Sequence, residues 1–96
     1  MAKEKIKSTP GKRKVTFIIE IQKAEKVSLI GDFNKWNEKT HTMKKENNDV
    51  WKKSIFLDPG RYEYKFQVDG QWQTDPNNDQ LCQNNFGTYN NYIVVK

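Results

Sequence analysis

Cysteine is almost missing from this chain. Cys82 stands alone, so no disulfide can close within the molecule and no four-ligand zinc site can be assembled from thiolates. Histidine is as scarce, and His41 has no Cys or His partner at ligand spacing, which removes the common metal centres. Nowhere do about 20 apolar residues run together as a membrane helix requires. The opening MAKEKIKSTPGKRK lacks the apolar heart of a signal peptide. No stretch repeats with the period of an amphipathic helix. These absences predict a cytoplasmic, membrane-free protein that needs no cofactor and no metal, and a fold built without helices.

What is present is a chain of 96 residues with 34% hydrophobic and 12% aromatic content. That length suits one domain, which buries only about 60–65% of the surface its unfolded chain exposes, so much of the core must be rings. The net charge is +5, and the excess gathers at the start, where Lys3, Lys5, Lys7, Lys12, Arg13 and Lys14 are opposed only by Glu4. Residues 1–13, broken by Pro10-Gly11, are expected to be a flexible basic lead-in, and residues 14–96 the folded domain. A basic tail and exposed rings are the ingredients of a nucleic-acid binder. Here they lie in different parts of the chain, which argues against nucleic acid as a partner.

Period-two alternation marks the strands. From Lys14 to Gln22, Val15, Phe17, Ile19 and Ile21 fall on one side. Lys26 to Ile30 repeats the signal with Val27 and Leu29 inward, Val50 to Leu57 carries it again, and Tyr92 to Val95 makes a closing strand. Glu38 to Asp49 and Asp75 to Thr88 read as polar connections. Short strands at turn-punctuated intervals predict an all-β, antiparallel β-sandwich. In Trp51, in step with Ile55 and Leu57, the expectation is core packing.

The stretch RYEYKFQVDGQWQTDP carries the most information. Asp69-Gly70 favours a two-residue hairpin, which places Val68 opposite Gln71, Gln67 opposite Trp72, Phe66 opposite Gln73 and Lys65 opposite Thr74. Trp72 then stands on the polar face with Lys65 and Gln67, away from Tyr64 and Phe66. An indole ringed by hydrogen-bonding side chains is a poor core element and a good seat for an amphipathic ligand. Trp36, in the loop after Gly31-Asp32, has the same character, although a loop Trp also folds back to cover the end of a sandwich. A sugar ring offers C–H groups on its face and hydroxyls round its rim. Stacking on Trp36 and Trp72 with hydrogen bonds from Lys65, Thr88 and Asn90 would answer both.

Catalysis fares badly on the same evidence. Asp32, Asp69, Asp75 and Asp79 sit in turn contexts where Asp serves the backbone, no pair of carboxylates stands out as acid and base, and Cys82 has no evident base.

Taken in order, KVSLIGDFNKWN, GRYEYKFQVDGQWQTDP and NNFGTYNNYIVV resemble the family 48 carbohydrate-binding modules, which include the glycogen-binding domains of AMP-activated protein kinase β subunits and the early-set N-terminal domains of isoamylases and branching enzymes. The match spans about Val15 to Val95. The resemblance implies an immunoglobulin-like, early-set sandwich that binds α-1,4-linked glucan without catalysis. It implies Trp36 and Trp72 as the stacking rings and Lys65, Thr88 and Asn90 as the hydrogen-bonding groups. One departure is Phe86, where the glycogen-binding branch has a Leu against the ligand: an aromatic there adds a third stacking surface or blocks a curved chain. Neither the kinase subunit's further C-terminal region nor a catalytic barrel is expected within these 96 residues, so binding is the role expected to transfer. The alternative is a module of the same fold that docks onto a glucan-metabolising enzyme or kinase-like partner.

Overall fold

A computed structural model describes residues 11–96, so the expected lead-in lies, up to residue 10, outside the described residues. Two antiparallel sheets face one another. In the first, β1 (Arg13–Glu20) pairs with β4 (Val50–Leu57), whose other side takes the short β3 (Lys44–Lys45). The second runs β2 (Val27–Gly31), β5 (Gly60–Val68), β8 (Tyr89–Val95) and β7 (Leu81–Gln83), with β6 (Gln71–Gln73) also against β5. This is the all-β antiparallel sandwich that the alternation predicts, and the immunoglobulin-like class that the resemblance implies. Among the described residues helix is confined to two three-residue 3-10 turns, Asp32–Asn34 and Asn47–Asp49.

The inward positions follow the period of two. Phe17 and Ile19 of β1, Trp51, Ile55 and Leu57 of β4, and Tyr64 and Phe66 of β5 are buried in one cluster with Val27, Leu29 and Val95. Phe17 meets Tyr64 edge-on, with ring centroids 4.9 Å apart, so aromatic contacts join the sheets at their centre. Trp51 is a core residue, as its step with Ile55 and Leu57 predicts.

Gly31 ends β2 where nothing larger fits: a Cβ there would lie 2.5 Å from the Glu63 carbonyl oxygen and 2.7 Å from the Tyr64 Cβ. The connection after it crosses between sheets. Met43 N–H donates to the Val27 carbonyl at 2.8 Å and Leu29 N–H to the His41 carbonyl at 2.9 Å, after which the chain enters β3.

The loop of residues 74–80 is fastened by side chains. Asn91, fully buried, accepts the Asp75 N–H on Oδ1 at 2.6 Å and donates from Nδ2 to the Asn78 carbonyl at 2.7 Å. Tyr64 O–H donates to Asp75 Oδ2 at 2.8 Å, and burial is the main force pushing the phenol's pKa far up.

Two expectations need correction. The polar connections at 38–49 and 75–88 each contain a strand, β3 and β7, too short for alternation to reveal. The hairpin ladder also stops at Gln73, so Lys65 has no ladder partner in Thr74.

Candidate functional site

The groove is built from three loops over the outer face of the second sheet. At the hairpin, Val68 pairs with Gln71, Gln67 with Trp72 and Phe66 with Gln73, as the two-residue loop predicts. Asp69 and Gly70 both have positive φ, 48° and 84°, the conformation that makes so tight a turn. The Asp69 carboxylate then accepts the N–H groups of Glu25 at 3.0 Å and Lys26 at 2.8 Å, tying the hairpin to the start of β2. Trp72 is left standing on the sheet, 52% exposed, with Lys65 Nζ 5.9 Å from its ring centroid. Lys65 itself is only 9% exposed, its stem covered and its ammonium turned toward Thr88 Oγ1 at 3.4 Å.

The second loop displays Trp36. Lys35 and Trp36 are both left-handed, with φ of 55° and 59°, a conformation that costs a non-glycine residue about 1–2 kcal/mol. Hydrogen bonds hold it. Trp36 N–H donates to the Gly31 carbonyl at 2.9 Å, and buried Asn34 accepts the Gly31 N–H at 3.1 Å while donating to the Leu29 carbonyl and to His41 Nδ1, both at 2.9 Å. The indole N–H donates to Asp32 Oδ1 at 2.9 Å, and Asp32 Oδ2 accepts the Glu63 N–H of β5 at 2.8 Å. Trp36 is thus anchored to the sheet through Asp32 and remains 37% exposed, so it does not fold back as a core lid.

Asn84 organises the third loop. Its Oδ1 accepts the N–H groups of Phe86 at 2.9 Å and Thr88 at 3.2 Å, and its Nδ2 donates to Thr88 Oγ1 at 2.7 Å and Asn90 Oδ1 at 3.0 Å. Gly87, at φ 81°, turns the chain, and Phe86 is lifted clear, 91% exposed. Asn90, 6% exposed, donates from Nδ2 to Glu63 Oε1 at 3.0 Å, and Arg61 Nη1 holds Glu63 Oε2 at 2.8 Å.

Together these loops line one groove of about 760 Å³. Trp36, Lys65, Trp72, Phe86, Thr88 and Asn90 all face it, so every residue singled out from the sequence is brought to one place. Asp32, Glu63, Gln83, Asn84 and Asn85 line it too, and sequence reasoning missed their part. A signal existed for Glu63, since it shares the outward parity of Lys65. For Asn84 the cue was the Asn-Asn-Phe-Gly turn, where an Asx side chain bonds the following backbone.

Larger in volume, at about 1020 Å³, is a cleft along β1 and the end of β8, where several of the polar side chains are already engaged within the fold. Asn77 donates to the Ile18 carbonyl, Asn78 to Tyr64 and Tyr92, and Arg61 covers the Tyr92 ring at 4.5 Å.

Chemically the groove can stack and hydrogen-bond. The Glu63 carboxyl is held below the usual range, chiefly by Arg61 and then by Asn90. A general acid needs the opposite shift. Burial pushes the Cys82 thiol up, away from the thiolate that a nucleophile requires, and Cys82 lies half-buried in β7, not in the polar loop its sequence context predicts. Among the described residues no cluster of three or more His, Cys, Asp or Glu is placed to hold a metal ion, and no helix is long and apolar enough to cross a membrane.

Comparison with known proteins adds an independent line. Residues 10–96 match a family model described as the glycogen recognition site of AMP-activated protein kinase. The chloroplastic PTST homolog 2 of Arabidopsis thaliana is 49% identical over 53 residues, 55% of this chain and 10% of that protein. The human 5'-AMP-activated protein kinase subunit beta-2 is 39% identical over 72 residues, 75% of this chain and 25% of that subunit. The chloroplastic protein PTST of Arabidopsis thaliana is 37% identical over 78 residues, 77% of this chain and 28% of that protein. The chain therefore spans between a tenth and a little over a quarter of the length of these relatives.

Proposed function

Because the chain belongs to the family of glycogen recognition sites of AMP-activated protein kinase, we propose that it binds α-1,4-linked glucan, as glycogen or maltooligosaccharides, without catalysing a reaction on it. Trp36 and Trp72 stack on glucose faces, Phe86 adds a third ring, and Lys65, Thr88 and Asn90 hydrogen-bond the hydroxyls. The observation that carries this reading is that all six line one groove. Rings supply contact with the C–H faces, and the buried Lys65 and Asn90 supply fixed polar groups beneath them.

An open groove with few stacking rings supports modest affinity, with a dissociation constant from about 10 μM to 1 mM, roughly −7 to −4 kcal/mol. Calorimetric titration with maltoheptaose or β-cyclodextrin tests it: heat and a change in Trp fluorescence are expected, and silence at millimolar ligand overturns it. Trp72→Ala should weaken binding by about 2 kcal/mol or more, some thirtyfold, while the protein stays folded.

A second reading draws on the relatives named as kinase subunits, of which this chain spans about a quarter. In it, the module docks onto a glucan-metabolising enzyme or kinase-like partner, and co-purification that persists in excess maltoheptaose would support it. A cytoplasmic location belongs to the same proposal, and cell fractionation tests it.

A further inference from the structure

Resting on the glucan reading above, we infer that Glu63 is a positioning residue that fixes the hydrogen-bond polarity of the groove's amide and hydroxyl groups. Direction is set first at groups that cannot be turned. The backbone N–H groups of Phe86 and Thr88 both donate to Asn84 Oδ1. The Asn84 NH2 is thereby committed to the other side, where it donates to Thr88 Oγ1 and to Asn90 Oδ1. With its oxygen turned to Asn84, Asn90 must turn its NH2 to Glu63, 3.0 Å from Oε1. Arg61 places a donor 2.8 Å from Oε2. Position 63 thus meets a donor at each oxygen, and an ionised carboxylate accepts both. Glutamine has one acceptor and one NH2, so one donor would face another.

The polarity reaches the ligand. Thr88 Oγ1 accepts from Asn84 at 2.7 Å and from Lys65 at 3.4 Å, which fills both lone pairs and leaves its O–H to donate outward. Asn90 keeps one N–H as well. Donors from Thr88, Lys65 and Asn90 are therefore turned to the groove, the pattern suited to the oxygens of sugar hydroxyls.

The test is calorimetric titration of the whole chain with maltoheptaose for wild type, E63Q, N90D and the E63Q/N90D pair. E63Q should bind about tenfold more weakly, and N90D, which sets two carboxylates face to face, should weaken binding further. In the pair, donor and acceptor are exchanged: the introduced amide donates to the introduced carboxylate. Binding should recover about fivefold or more over N90D alone, so that a substitution harmful in one background helps in the other. E63Q binding as wild type does, or additive losses in the pair, would overturn the inference. No heat from wild type would overturn the glucan reading instead.

Side-chain NMR of the ligand-free wild type then judges Glu63 by itself. On acidification the Asn90 amide protons should move with the same midpoint as the Glu63 carboxyl carbon. Arg61, Cys82 and Asp32 also face this residue, and following the Glu63 carbon identifies which group titrates. Separate midpoints would overturn the role.

Discussion

Asn90 and Asn91 are neighbours on β8, both buried, and they face opposite sides of one sheet. Asn91 points inward and is consumed: its oxygen and both of its donor bonds go to the backbone of the 75–78 loop. Asn90 points outward, bonds Glu63 and Asn84, and keeps one N–H and one lone pair for the groove. Unspent hydrogen-bond capacity, not polarity or burial, separates the amide that holds the fold from the amide suited to hold a ligand. The tryptophans divide by burial instead, Trp51 into the core at 6% exposure and Trp72 onto the groove at 52%.

The sharpest way to break this division is through the rings. Trp51→Ala empties the core and should cost about 3–5 kcal/mol in chemical denaturation, whereas Trp72→Ala should cost less than about 1 kcal/mol there and lose the sugar instead. Equal destabilisation by both would erase the distinction between inward and outward positions. For the amides, Asn91→Leu strands the Asp75 N–H and the Asn78 carbonyl, and should destabilise by about 2–4 kcal/mol in the same assay. A neutral result would show that the loop does not depend on its latch.

Much of this division was legible in the chain before any coordinates. Asp69-Gly70 and strict alternation were enough to put Trp72 and Lys65 on one face and Tyr64 and Phe66 on the other, because hairpin register is a local property. The bond from buried Lys65 to Thr88 was not legible, since the two are 23 residues apart. Nor was the bond between Asp32 and Glu63, whose partners are 31 residues apart. Turn residues look alike in sequence whether they serve their own turn or a distant strand. Asp69 and Asp32 both do the latter. The strands β3 and β7 were invisible for another reason: two or three residues cannot show a period.

A smaller effect is expected at Phe86. It is held out by the Asn84 turn and touches little of the protein, so Phe86→Ala should leave the melting temperature nearly unchanged and weaken maltoheptaose binding by about 0.5–1 kcal/mol. Tighter binding in the variant would mean that the ring obstructs the chain instead of supporting it.

The smallest effect sharpens the comparison by pH. With Asn34 Oδ1 taken by the Gly31 N–H, the Asn34 NH2 faces His41, whose Nδ1 must be an unprotonated acceptor. Burial first, and the positive charge of Lys53 next, lower the His41 pKa from 6.5. Between the folded and unfolded pKa values the unfolded chain binds more protons, so this contribution to stability is present above about 6.5 and declines as pH falls through the folded value. A modest drop in melting temperature is expected between pH 7.5 and pH 5.5, larger for wild type than for His41→Gln. Because Asn34 braces the strained turn that carries Trp36, glucan affinity should fall over the same window, while a binding curve flat in pH would mean that Asp32 alone holds the indole in place.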